Sequence, residues 1–322
     1  MKLFLLSILL VCSGWGFFSH RLINRLAVFT LPMEMVGFYK SHIGLIEQSA
    51  VNPDRRRYAV KGEAECHFID LDHYPGMEGQ LPVHRMNWEE AVCVFGEDSL
   101  RAHGILPWNL LMVYYRLRSA FAASDPDRIL RISADLGHYV GDANVPLHTT
   151  SNYDGQKTGQ HGLHGFWESR LPELFSGNYD LLTGRAEYVP DVQARIWRDV
   201  LSGHELVDSV LMLERALFRE QGRFKFSFET RGKMTARVIA PDYAGAYHRS
   251  LQGMVDRRMR SSIKTAGDLW YTAWVEAGQP DLDRFRTWRP DPAELARRKL
   301  ELEGWKERFL QPRSHEAEDG QP

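Results

Sequence analysis

Apolar residues recur at three- and four-residue intervals along most of this chain, the repeat expected of helices that bury one face. Leu22, Leu26, Met35, Phe38 and Ile46 trace it over residues 21 to 48, with Pro32 predicted to break or kink the run. A looser stretch rich in proline, glycine and charge follows, from Ala50 to Val83. Asn87 is placed to cap a helix through Glu89, Glu90 and Val94, and Pro107 fits the first turn of another through Leu110, Tyr114, Leu117 and Phe121. Asp125 and Pro126 open a helix that should run to about Ala143, where Pro146 stops it. A glycine-rich loop, Tyr153 to Gly165, precedes a helix near Phe166 to Phe175, and residues 190 to 310 hold room for about four more. Runs of alternating β-branched residues joined by hairpin turns are not evident, so the expected fold is all-α, a single multi-helix domain over residues 15–311. Trp108, Tyr114, Tyr115 and the aromatics beyond residue 195 are expected in its core, and the polar tail from Pro312 is expected to be disordered.

Bulk composition changes this picture little. The chain has 322 residues, 43% hydrophobic and 25% charged, which is ordinary for a globular protein. Its formal net charge of -2 provides no general basic field to follow a nucleic-acid backbone, so any affinity for phosphate has to be local. Residues 1–14 read as a secretory signal, with Lys2 before an apolar stretch, Leu3 to Val11, and small Ser13 and Gly14 before Trp15. The apolar stretch is too short to span a bilayer, and Val11 is a poor residue before a lipidated Cys12. Cleavage before Trp15 and export to the periplasm or medium are therefore expected. That cleavage leaves Cys66 and Cys93, which a single bridge or a reduced pair would accommodate equally well.

The leader matters because cleavage would give Trp15 a free α-amine, which with the adjacent carbonyl makes a two-point chelate for a metal, five residues before His20. In LGHYVGDANVPLH, His138 and Asp142 are four apart, so a helix stacks both on one face, and His148 follows once Pro146 has turned the chain. HGFWE repeats that spacing with His164 and Glu168, CHFID offers His67 and Asp70, and NPDRRRY offers Asp54. Imidazole and carboxylate without thiolate is the ligand set of hydrolytic zinc.

Taken in order, W-x4-H, D, HF-x-D, H-x3-D-x5-H and H-x3-[D/E] resemble the superfamily that joins zinc-dependent bacterial phospholipases C to the single-strand-specific nucleases of the S-one/P-one type, over roughly residues 15 to 175. The resemblance implies an all-helical fold with three Zn2+ ions in a cleft. Asp54, His67, His138 and Asp142 would hold the first; Trp15, His20 and a bridging Asp142 the second; His148, His164 and Glu168 the third. It implies a catalytic group made of Asp54, Arg57 and Asp142, with attack on phosphorus by a zinc-bound hydroxide and Arg57 on the scissile phosphate. Phe68 and Asp70 would bind a base by stacking and hydrogen bonding.

The short spacing from Trp15 to His20, Arg57 and the run HGFWESRLPEL resemble the nuclease branch, whereas Glu168 resembles the phospholipase glutamate. Single-stranded nucleic acid or nucleotides are thus the expected substrates, with phospholipid head groups the alternative. A zinc-stabilised binding protein without turnover is the rival from another class. His42, His73, His84, His103, His204 and His248 carry no assignment, since lone histidines usually pack or solvate, while His161 is a secondary candidate to ligate or gate. Asp72 reads as a loop-solvating residue.

Overall fold

The computed structural model describes residues 17–74, 83–231 and 234–307. The leader, Trp15 and the tail from Pro312 lie outside the described residues. In chain order the helices are α1 (Phe17–Ala27), α2 (Met33–Ser41), α3 (Ile43–Ser49), α4 (Asn52–Arg57), α5 (Trp88–Phe95), α6 (Glu97–Ala102), α7 (Leu106–Ala122), α8 (Pro126–Ala143), α9 (Leu163–Gly165), α10 (Leu171–Phe175), α11 (Val192–His204) and α12 (Val207–Gln221). Then come the strands β1 (Phe226–Arg231) and β2 (Met234–Ile239), and the helices α13 (Pro241–Ser250), α14 (Met254–Glu276) and α15 (Pro292–Glu307). No helix among the described residues is long and apolar enough to cross a membrane.

Local chemistry accounts for many of the boundaries. Pro32 ends the first helical run and leads into α2. Asn87 and Glu90 form a reciprocal capping box at the start of α5, satisfying two amides that the helix itself leaves unpaired. Asp125 accepts from the Arg128 amide to open α8, and Pro107 lies in the first turn of α7.

Helix α8 is the organising element, with nearly all of its last four turns buried. It packs against α7, α1, α3 and α14. One apolar cluster surrounds it, including Leu136, Val140, Tyr114, Phe121 and Trp270, and the Trp270 indole donates to the Ser133 carbonyl at 3.0 Å. A second cluster, with Leu147, Phe166, Trp167, Tyr247 and Met259, gathers α13 and the start of α14 around the chain that follows Pro146.

Two expectations are corrected. The described residues from 190 to 307 hold five helices and an antiparallel hairpin in which Phe226 faces Ile239 and Phe228 faces Arg237. The strands have few β-branched residues, and no Asn-Gly or Asp-Gly pair lies between them in the sequence. The aromatics beyond residue 195 also divide: Trp197, Tyr243, Tyr247 and Trp270 are buried, whereas Phe218, Phe224, Phe226 and Phe228 are exposed, as is Tyr115.

Candidate metal centre

The buried stripe of α1 is Ser19, His20, Ile23, Asn24 and Ala27, and it lies across α8. Glycine makes that crossing possible. A Cβ at Gly137 would overlap Asn24 Oδ1, and one at Gly141 would stand 2.7 Å from His20 Nδ1. Asn24 donates to the Ala134 carbonyl at 2.9 Å, and Ser19 donates to the Glu168 carbonyl at 2.8 Å. His20 is thereby held over the face of α8 that carries His138 and Asp142, with its ring centroid 4.0 Å from that of His138.

Asp142 is the hub. Its Oδ2 lies 2.9 Å from His67 Nδ1 and 3.3 Å from His138 Nε2, while its Oδ1 lies 3.5 Å from His20 Nε2 and 3.7 Å from His148 Nδ1. Asp54, presented by α4, closes the first side, with Oδ1 3.9 Å from His67 Nδ1 and 3.7 Å from His138 Nε2. On the second side, Glu168 Oε1 meets His20 Nε2 at 3.0 Å, and its Oε2 stands 3.2 Å from His148 Nε2 and 2.8 Å from His164 Nε2. The two imidazole nitrogens of His148 and His164 approach to 2.8 Å. Glu168 sits in a π-helical turn, Phe166–Arg170, which turns its carboxylate toward both groups.

Three sets of donor atoms are thus gathered closely enough to share an ion: His20 with His138 and Asp142, Asp54 with His67 and His138, and His148 with His164 and Glu168. Hydrogen bonds set the tautomers that binding requires. His138 Nδ1 donates to the Ala50 carbonyl at 2.8 Å and His148 Nδ1 to the His67 carbonyl at 2.6 Å, so each ring turns Nε2 inward. His67 instead turns Nδ1 inward. Its Nε2 and the Nδ1 of His20 are buried without a hydrogen-bond partner in the structure.

The electrostatics follow from this crowding. Burial alone would raise the pKa of Asp142, but His138, His148 and hydrogen bonds from His138 and His67 outweigh it and hold the carboxyl well below its ordinary range. Glu168 is held down in the same way, against burial, by His148, His164 and His20. Burial lowers His67 despite Asp142. It also opposes the rise at His138, which Asp142 and Asp54 nevertheless push up to about 9. Buried carboxylates kept ionised among imidazoles form a set of donors suited to a cation.

Of the nine proposed ligands, the eight that are described come together, and Trp15 lies outside the described residues. Arg57, at the end of α4, is half-buried, and its charge is felt at the His164 imidazole. Phe68 and Asp70 are 6% and 3% exposed, and Phe68 packs against Gly104, whose positive φ of 84° lets it approach the Phe68 carbonyl. Asp70 is 3.4 Å from His103 Nδ1. Asp72 is a loop tether, accepting from the Ser151 amide and hydroxyl and from the Thr150 hydroxyl. His161 is exposed and stands outside the three donor sets, and Cys66 and Cys93 are both free thiols.

Sequence reasoning missed several supports. Asp154 accepts from the amides of Gly162 and His164 at 2.7 and 3.1 Å and so fixes the loop that delivers His164. Arg258 of α14 donates to the carbonyls of Asn144 and Asp199, tying the end of α8 to α11. Ser19 and Asn24, polar residues inside an apolar stripe, were a visible signal; Asp154 and Arg258 gave none. A comparison with protein-family models and with curated proteins finds no match for this chain.

Proposed function

We propose that this chain is a zinc-dependent hydrolase of phosphoric ester bonds, exported and cut before Trp15, with single-stranded nucleic acid or nucleotides as substrates in the manner of the S-one/P-one type nucleases. The observation that carries the reading is the division of Asp142, whose two oxygens face two different groups of buried imidazoles. A carboxylate used only to neutralise one histidine would not need both edges.

The residues fit three zinc ions by donor chemistry: nitrogen and oxygen without thiolate, with the His138 and His148 tautomers fixed by carbonyls so that Nε2 faces inward. Asp54, His67, His138 and Asp142 would hold one ion, His20 and Asp142 with Trp15 a second, and His148, His164 and Glu168 a third. Bound zinc supplies Lewis acidity toward a phosphoryl oxygen and lowers the pKa of water. Asp54, with its side chain 25% exposed, stands at the open edge where a phosphoester would enter. Arg57, next to it on α4, offers a fork of donors for phosphate oxygens. Glu168 couples the sets, so the position of one constrains the other.

The test is metal quantification on correctly processed protein, together with a chromogenic phosphodiester, single-stranded RNA and DNA, and phosphatidylcholine. Zinc-dependent release of nucleotides, lost in His138→Ala, is expected. Diacylglycerol release without nucleotide release would instead favour a phospholipase C, and firmly held zinc with no turnover a binding protein.

A further inference from the structure

The hairpin shows chemistry that the metal centre does not absorb. Between Gly222 and Arg237 the sequence carries five cations against a single carboxylate, Glu229, in a chain whose overall charge is slightly negative. The strands alternate: Val238 is buried, whereas Phe226, Phe228 and Arg237 point outward. Phe228 is 73% exposed and Phe226 43%, with Phe224 just before β1 at 58%. Grouped phenylalanines left in water at the surface mark a binding face more often than chance.

This face is tied to the candidate centre. Arg170, two residues after Glu168 and itself buried, pairs with Glu229 of β1 and donates to the Ile239 carbonyl of β2 at 3.2 Å. At the foot of β1, Lys225 donates to Glu214 at 2.8 Å, and that carboxylate also accepts from Gln160 at 2.7 Å, in the loop leading to His164. The strands are therefore braced on the two segments that deliver Glu168 and His164.

We propose that the outward face of the hairpin is a docking platform for single-stranded nucleic acid, feeding the centre beside it; this rests on the phosphoesterase reading. The choice of partner follows from how charge and rings are mixed. The Arg237 guanidinium lies 3.6 Å from the Phe226 ring centroid and that of Arg223 4.6 Å from the Phe224 ring. To bury those rings a bilayer would have to draw each guanidinium off its ring so that it could snorkel to the head groups. An unpaired strand presents π-faces and phosphates in alternation, which rings and guanidinium groups match without that cost.

Binding of a short fluorescein-labelled oligothymidylate, followed by anisotropy on ice before hydrolysis, tests this in the whole protein. Phe228→Ala should bind about tenfold more weakly, in keeping with loss of one stacking surface. Arg237→Gln should bind more weakly with a shallower salt dependence, since it removes a phosphate contact. Met33→Ala, an equally exposed apolar residue on α2, should leave binding unchanged. Equal affinity of wild type, Phe228→Ala and Arg237→Gln overturns the inference, as does sedimentation with anionic vesicles without oligonucleotide binding. Hydrolysis of the small chromogenic diester without oligonucleotide binding overturns it while sparing the phosphoesterase reading. Hairpin-dependent binding without hydrolysis of any diester leaves the platform standing and removes the phosphoesterase.

Discussion

A histidine that carries a proton in the empty site has to lose it when a cation takes its place. His138, pushed up to about 9, is protonated at neutral pH, and His164 is raised in the same direction, so metal uptake at pH 7 should release the His138 proton. Apparent affinity should then climb as pH rises toward about 9 and fall in acid, and calorimetry in two buffers of different protonation heat would measure the release; uptake without release would contradict it. Asp154 acts through backbone amides, so Asp154→Ala should weaken metal binding by about tenfold or more while leaving the helices intact by circular dichroism. The two described thiols should differ as well. Burial, reinforced by Glu63 and Glu65, pushes Cys66 up to about 12, whereas Cys93 is exposed, so mild alkylation of folded protein should mark Cys93 and spare Cys66. At this scale His138, Asp142, His164 and Glu168 were legible because ligand chemistry restricts residue type and helical spacing sets which side chains share a face. That Glu168 also reaches His20 was not legible, since it depends on a contact 148 residues apart in sequence.

Among elements, the crossing of α1 over α8 decides whether His20 reaches the centre. Gly141→Ala would drive a methyl group toward the His20 ring, and the expected cost is about 1–3 kcal/mol with loss of metal affinity beyond what global stability explains. Denaturant melts and zinc titrations of the same variant would separate the two effects. The α8 cap offers a contrast: Asp125→Ala should cost about 1 kcal/mol and leave metal affinity alone, because the cap lies at the far end of the helix from Asp142. Helices with an apolar repeat and a start signal, the caps of α5 and α8 and the first-turn proline of α7, were readable in the sequence. The hairpin was not, because its outward face carries phenylalanine where a strand exposed to water would normally carry polar residues.

The described residues form two apolar clusters, and the candidate centre lies where they meet: His138 and Asp142 come from the helix at the heart of one, while His148, His164 and Glu168 come from the chain that builds the other. A cation held between them should stabilise both at once. At a free zinc concentration a hundredfold above the dissociation constant, the gain is about 2.7 kcal/mol, so Tm should rise with zinc and fall on chelation; an unmoved Tm would argue against a bridging ion. The region after residue 176, which carries no motif, has a structural part in this, since α11 and α14 back α8 through Arg258 and Trp270. The amino-acid sequence by itself determined the helical class, several caps and the residues able to offer donors to a cation, because periodicity, capping and ligand chemistry act over a few neighbouring residues. Tertiary structure alone decided which oxygen of Asp142 faces which imidazole, and which phenylalanines meet water, because both depend on packing between segments far apart in the chain.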